Sequence, residues 1–300
     1  FKIGDYLKIK RRKSRVKRGA WLFILPILLL HIFTILVPAL VGIYFSLTDW
    51  SGFGPATFIG FENYRTLFED PGFLQALRNN FKWLVFFATV PFAIALTAAF
   101  LLSQVKRGGF FYRIAYFLPY VLPAVVIGSL WKFILNPDSG ITAILSNLGI
   151  PGFEKALLGQ PSTALLTIAF VDNWHYWGFL ATILLVALQS VSPELYEAAK
   201  IDGANLRQQF RYVTIPGIRP TLVFMFMMTS IWSFLVFEYV WVMSQGGPAG
   251  STEVMATYLF KAAFREFSAG LAAAAGLTMT VFAGMIIGVF LVLRKKGWEI

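Results

Sequence analysis

Six stretches of the chain are continuously apolar, at roughly 20–47, 81–103, 114–135, 163–189, 220–244 and 269–293. Each is long enough to cross the hydrocarbon core as a helix, which takes about 20 residues. None alternates with period two, so the pattern argues against membrane β-strands. The intervening segments carry Gly, Pro, Asp and Asn, as in Asp49-Trp50-Ser51-Gly52 and Gln245-Gly246-Gly247-Pro248, and read as loops. The pattern predicts an all-α polytopic membrane bundle of six transmembrane helices over residues 19–300, behind a basic tail at 1–18.

Composition agrees: of 300 residues, 57% are hydrophobic and only 14% charged, where soluble chains are about a quarter charged. There is no Cys, and the two histidines are His31 and His175. Disulfides, thiolate chemistry and a His-based metal centre therefore drop out, and neither a metal site nor a catalytic residue is expected. The net charge of +11 would suggest nucleic acid on a soluble protein. Here its distribution decides otherwise.

Nineteen of the 26 basic residues lie on one side: Lys2, Lys8, Lys10, Arg11, Arg12, Lys13, Arg15, Lys17 and Arg18, then Lys106, Arg107 and Arg113, then Lys200, Arg207, Arg211 and Arg219, then Arg294, Lys295 and Lys296. The other side holds seven, namely Arg65, Arg78, Lys82, Lys132, Lys155, Lys261 and Arg265. By the positive-inside rule both termini face the cytoplasm. The surplus is topological, so no nucleic-acid partner is expected. The apolar run after the basic tail is too long for a signal-peptide core and reads as a retained first span. Because the sequence opens on Phe1 without Met, residues missing before it are expected.

The sequence has no G-x-x-x-x-G-K-[ST] with which to bind ATP, and no hydrolase or dinucleotide motif. Nor do the spans carry a ladder of acidic residues for a proton relay. Energy for uphill transport would enter from outside the chain, which directs attention to the long loop at 190–219. There Ser192 is a good N-cap and Pro193 a good first helical residue, with Glu194 favoured by the helix dipole. A helix over 193 to about 201 is predicted, interrupted at Asp202-Gly203, then a second helix over 204–213 that Pro216 ends. Tyr196, Ala199, Ile201 and Ala204 supply apolar contacts among charges. The alternative is an amphipathic connection lying on lipid, but its acidic residues fit a protein partner better than anionic headgroups.

Glu197-Ala198-Ala199, then Gly203, then Val213, Ile215 and Pro216 resemble the EAA motif of ABC importer permeases, with Val213 and Ile215 as mild departures from its final I-x-L-P. The stretch Leu188–Tyr196 and the triplet Asp202-Gly203-Ala204 are similar to the carbohydrate-uptake branch. So are Phe58–Tyr64, Leu118-Pro119-Tyr120-Val121-Leu122-Pro123 opening the third span, and Gly246-Gly247-Pro248.

The resemblance implies a type I importer permease fold in a prokaryotic inner membrane. It implies partners: a second permease subunit in a heterodimer, two copies of a cytoplasmic ABC ATPase that carry ATP and Mg, and an extracytoplasmic sugar-binding protein. Glu197, Ala198, Ala199, Asp202, Gly203, Ala204 and Pro216 would couple to the ATPase. No cofactor would bind this chain.

Polar residues inside a bilayer are costly and so are functional candidates. The fourth span offers Asp172, His175 and Tyr176; the fifth offers Thr229, Ser233 and Glu238; the third offers Tyr120. The positions carried over from sugar permeases add Ala124 and Val236, which are apolar and leave open which subunit holds most of the sugar. Asp172 and Glu238 have a structural alternative, paired with each other or with a partner. His175 has one too, as a packed histidine, and His31 is read as structural. In the sixth span Gly284-x-x-x-Gly288 and the small run Ala269–Gly276 permit close helix packing, within the subunit or across a dimer. An ion-coupled secondary transporter would want repeated broken spans and intramembrane ion ligands, and a membrane enzyme would leave the loop at 190–219 unexplained.

Overall fold

The computed structural model describes residues 18–103, 105, 107–151 and 156–295. The basic residues Lys2 to Lys17, Lys106, Lys155 and Lys296, and with them the tail at 1–17, lie outside these. The chain divides into two units, Phe1–Tyr44 and Phe45–Ile300. In the first, α1 (Arg18–His31) and α2 (Val37–Ser46) run on through a π-helical turn at Ile32–Leu36. This segment is apolar around its circumference, the pattern of a helix surrounded by lipid or other helices. His31 is exposed on it.

The second unit begins with a two-stranded antiparallel ribbon, β1 (Thr48–Asp49) on β2 (Thr57–Phe58), pairing Thr48 with Phe58 and Asp49 with Thr57. The short helix α3 (Glu62–Glu69) follows, then α4 (Pro71–Ser103), α5 (Gly109–Val121), α6 (Ala124–Ile134) and α7 (Ile141–Asn147). The long α8 (Ala164–Gln189) leads into the loop helices α9 (Pro193–Ile201), α10 (Leu206–Gln209) and α11 (Ile215–Gly217). The chain closes with α12 (Arg219–Leu235), α13 (Glu238–Met243), α14 (Met255–Phe264) and α15 (Ala269–Lys295). The central packed pair is α4 with α8; α5 and α6 flank α8, while α12 joins α4 to α15. Four described helical segments can cross a membrane, Phe23–Ser46, Pro71–Ser103, Arg219–Met243 and Ala269–Lys295, and up to six can if each bent pair is one span.

Three of the six expected spans differ in detail. The second begins at Pro71, ten residues before the apolar run at 81. Its early turns carry Asn79 and Asn80, which are fully buried and bonded to other elements rather than to water. The Asn79 amide donates to the Ser251 and Glu253 carbonyls, each at 2.8 Å. The third span is two helices, α5 and α6, at 96°. Pro123 holds Leu122 extended at the break, so the Leu-Pro-Tyr run closes α5 instead of opening a span.

The fifth span breaks at Val236-Phe237 with neither Gly nor Pro there. An intact helix would satisfy the Ser233 carbonyl from the Phe237 amide. Here the Asn80 side chain donates to that carbonyl at 2.8 Å and accepts from Met255 N–H at 2.8 Å. A break inside a membrane is tolerated where the freed backbone groups find partners in the protein. Asn80→Ala is expected to cost about 2–4 kcal/mol by leaving two buried main-chain groups unpaired, read as a lowered thermal unfolding midpoint in detergent.

The loops between spans are tied tightly. The Asn63 amide donates to the Ser46 and Thr48 carbonyls, each at 2.9 Å, and Lys261 pairs with the mostly buried Glu253. Burial, and a hydrogen bond donated to Asp70, raise the Tyr258 hydroxyl above its ordinary pKa. The small run that opens α15 packs closely, with Ala272, Ala274 and Ala275 buried and no room for a Cβ at Gly270 beside the Thr48 carbonyl. A Cβ added at Gly284 or Gly288 would meet nothing within 4 Å.

Candidate functional site

The elbow is built by its own chain chemistry. Pro193 takes the first turn of α9 as expected, but the Ser192 hydroxyl donates to the Glu194 carboxylate at 3.0 Å and caps no main-chain amide. The helix ends in a Schellman motif, with Gly203 N–H donating to Lys200 at 3.0 Å and Ala204 N–H to Ala199 at 2.8 Å. Gly203 sits at φ +78°, where a side chain is strained and glycine is not.

Asn205 then starts α10 with a capping box: its side chain accepts from Gln208 N–H at 2.9 Å, and the Gln208 side chain accepts from Asn205 N–H at 2.8 Å. The predicted second helix therefore starts at 206 rather than 204. Nor does Pro216 end it. The chain winds through a π-helical turn at Phe210–Thr214 and continues into α11, with Pro216 in its opening turn where no amide donor is needed.

The Tyr196 and Thr214 hydroxyls meet at 3.0 Å and brace α9 against this turn. Outward the elbow shows Glu197, Ala198, Lys200, Asp202 and Gly203, with Ile201 87% exposed. Ala199 and Ala204 are half-buried, and Pro216 is exposed. A cavity of about 540 Å³ adjoins, lined by Glu197, Tyr196, Lys200, Arg113, Gln189 and Gln209 among others.

Along the spans, the residues expected on a solute path fall into separate places. Asp172, Tyr176, Thr229 and Ser233 line one pocket of about 50 Å³ with Trp83, Phe87 and Trp232. The Tyr176 and Thr229 hydroxyls share a hydrogen bond of 2.7 Å, joining α8 to α12. The Ser233 hydroxyl is turned back on the Thr229 carbonyl at 2.8 Å. The Trp83 indole is bonded to Asp172. Tyr120 and His175 lie outside this pocket, stacked on each other with ring centroids 5.1 Å apart, and Tyr120 stacks on Phe179 at 4.4 Å. Ala124 and Val236 pack in the apolar core. Glu238 is exposed at the start of α13, close enough to Asp172 for their charges to interact.

Sequence reasoning missed Trp83, Phe87 and Trp232. Trp83 and Phe87 sit one turn apart on α4 with stacked rings at 5.7 Å. Their signal was available, since they follow Asn79 and Asn80 on a helix whose polar residues had to face protein.

Membrane-crossing helices, a small pocket among them that carries four polar side chains, and an exposed elbow closed by a glycine make a frame suited to a transport permease. The profile of the binding-protein-dependent transport system inner membrane component matches residues 90–295, and the chain belongs to that family. It is 37% identical over 85% of its length to the probable ABC transporter permease protein YurN of Bacillus subtilis, covering 88% of that protein. It is 36% identical over 91% of its length to the diacetylchitobiose uptake system permease protein NgcF of Streptomyces coelicolor, covering 81% of it. The probable starch degradation products permease AmyD of Thermoanaerobacterium thermosulfurigenes is 30% identical over 92% of this chain and 94% of its own. Among solved structures, a chain of a bacterial ABC transporter that imports the acidic polysaccharide alginate superposes with TM-score 0.82 at 23% identity, over 93% of this chain and 95% of that one. That likeness establishes the shared fold.

Proposed function

We propose that this chain is a membrane-spanning subunit of an ATP-driven, binding-protein-dependent sugar importer in a prokaryotic inner membrane. It forms half of the translocation path beside a second permease, with both termini cytoplasmic. Its elbow docks on one of two cytoplasmic ATPases, which bind ATP and Mg, and an extracytoplasmic binding protein delivers the sugar. One observation carries the reading: Glu197-Ala198-Ala199 is presented on an exposed helix whose end is fixed by Gly203 at φ +78°. Relatives named for uptake of diacetylchitobiose and starch degradation products support sugar as the solute class. The ion-coupled alternative gains no support from the fold or the relatives.

On this reading Asp172, Tyr176, Thr229 and Ser233 are the polar lining of the path, Trp83 and Trp232 offer faces for a pyranose ring, and Tyr120 and His175 lie further along it. A pocket of about 50 Å³ is well below the roughly 300 Å³ at which ligand sites begin. Passage of sugar therefore requires the spans to part, or the second subunit to complete the wall.

The test is mass-spectrometric identification of what stays with the chain when its native membrane is solubilised in mild detergent. Recovery of an ATP-binding subunit and a second permease is expected. A chain that runs alone, or only with copies of itself, would overturn the importer reading.

A further inference from the structure

Seven buried side-chain polar atoms among the described residues have no hydrogen-bond partner, and five of them belong to Tyr116, Trp131, Asn173, His175 and Tyr239. These five sit on α8 or on α5, α6 and α13, which pack against it. Native interiors pair nearly all such atoms, and each exception has a reason.

Two of the five have rings next to each other. Tyr239 is 4% exposed and its hydroxyl is unpaired. Its ring lies 5.9 Å from that of His175, whose Nε2 is also unpaired. His175 is also stacked on Tyr120, with ring centroids 5.1 Å apart. Asp172 and Glu238 are both near enough to Tyr239 for their charges to act on it. A hydroxyl and an imidazole nitrogen, both unpaired, thus stand near two carboxyl groups, outside the lining of the pocket that holds Tyr176 and Thr229 but next to its Asp172.

We propose that the Tyr239 hydroxyl and His175 Nε2 form a second contact point of the path, taking a pair of hydroxyls from an uncharged saccharide. The proposal rests on the sugar-path reading above and adds to it both Tyr239 and the class of sugar. A saccharide hydroxyl both donates and accepts, so one diol satisfies both atoms whichever tautomer His175 adopts. No Lys or Arg lines the neighbouring pocket. A uronate or sugar phosphate would bring an anion next to Asp172 and Glu238 with no Lys or Arg of the pocket to pair it, which is costly. This subunit therefore passes neutral sugars and disfavours acidic ones.

The experiment uses the importer assembled with its partners in lipid nanodiscs. Fluorescence of its tryptophans, two of which line the pocket, is titrated with neutral mono-, di- and trisaccharides of glucose, galactose, mannose, xylose and N-acetylglucosamine, and with matching uronates. Tyr239→Phe is expected to weaken the responding neutral sugar about tenfold with the same amplitude at saturation. Its thermal midpoint should stay level or rise, because it removes an unpaired buried hydroxyl. His175→Gln should weaken the same sugar without altering the Tyr176–Thr229 bond, and the uronates should bind at least about tenfold more weakly than their neutral counterparts.

Unchanged affinity in Tyr239→Phe, or a lowered midpoint with affinity intact, would make Tyr239 a packing residue and overturn the contact. Uronates that bind as well as neutral sugars would overturn the class while leaving a sugar path in place. If no saccharide of either kind changes the signal of the unaltered importer, the sugar path itself falls and this inference with it.

Discussion

Glu197→Lys is expected to leave the chain folded and inserted while its ATPase is lost on purification. Glu197 is exposed on α9, and exposed substitutions of this kind change stability by about 0.5 kcal/mol or less. Reversing a charge at a docked interface costs about 2–5 kcal/mol when the partner charge is left unpaired. Recovery of the ATPase should therefore fall by more than about tenfold, with the thermal midpoint of the permease unchanged.

Gly203 provides an independent check, because its constraint is the backbone alone. A Cβ there meets nothing within 4 Å, yet φ is +78°. Gly203→Asn should keep most coupling, since Asn tolerates the left-handed region, whereas Gly203→Val should lose it through a strain of roughly 1–2 kcal/mol or more. Full ATPase recovery in both Glu197→Lys and Gly203→Val would remove the elbow from the coupling route.

Gly178→Ala is expected to be the most damaging single-methyl change in the bundle. A Cβ at Gly178 would fall inside the Tyr116 carbonyl, so the obstacle is the backbone of α5 and no side chain can swing aside. Overpacking costs about 1–3 kcal/mol where side chains can adjust. Here α5 must shift on α8, so a loss of about 3 kcal/mol or more is expected, seen as early aggregation in size-exclusion chromatography after mild heating. Gly284→Ala and Gly288→Ala are the contrast. A Cβ at either position would meet nothing within 4 Å, and replacing helical Gly by Ala gains up to about 1 kcal/mol in helix propensity. If those variants fold well yet lose the second permease, that face of α15 packs against the partner.

The elbow was legible because its structure is local. Pro193, the Gly203 cap and the distance between them are all encoded within a dozen residues, and they place Glu197 outward. The two ends of the second helix were misjudged for equally local reasons. The Asn205–Gln208 capping box outcompeted an earlier start, and a π-helical turn carried Pro216 into α11 where no donor was needed.

The proposed solute path was legible only as a set of residue types. Asp172, Tyr176, Thr229 and Ser233 meet in one pocket, but Tyr120 and His175 stack apart from it, and Trp83, Phe87 and Trp232 complete the lining. Aromatic type alone does not reveal which side of a helix faces a neighbour, because lipid and protein interior are equally apolar; on α4 only the nearby Asn79 and Asn80 mark that face.

The sequence alone determined that the chain is an all-α membrane protein with six apolar segments, and where its elbow lies. Hydrophobic length, charge asymmetry and helix caps depend on near neighbours and survive in one dimension. Only the tertiary structure decided where two of those segments break, and which polar groups face each other across them. The Ser233 carbonyl is released from its own helix where Asn80, some 150 positions earlier, donates to it, and the Tyr239 hydroxyl, on α13 packed against α8, has no partner. In a low-dielectric interior each polar group must be matched in space.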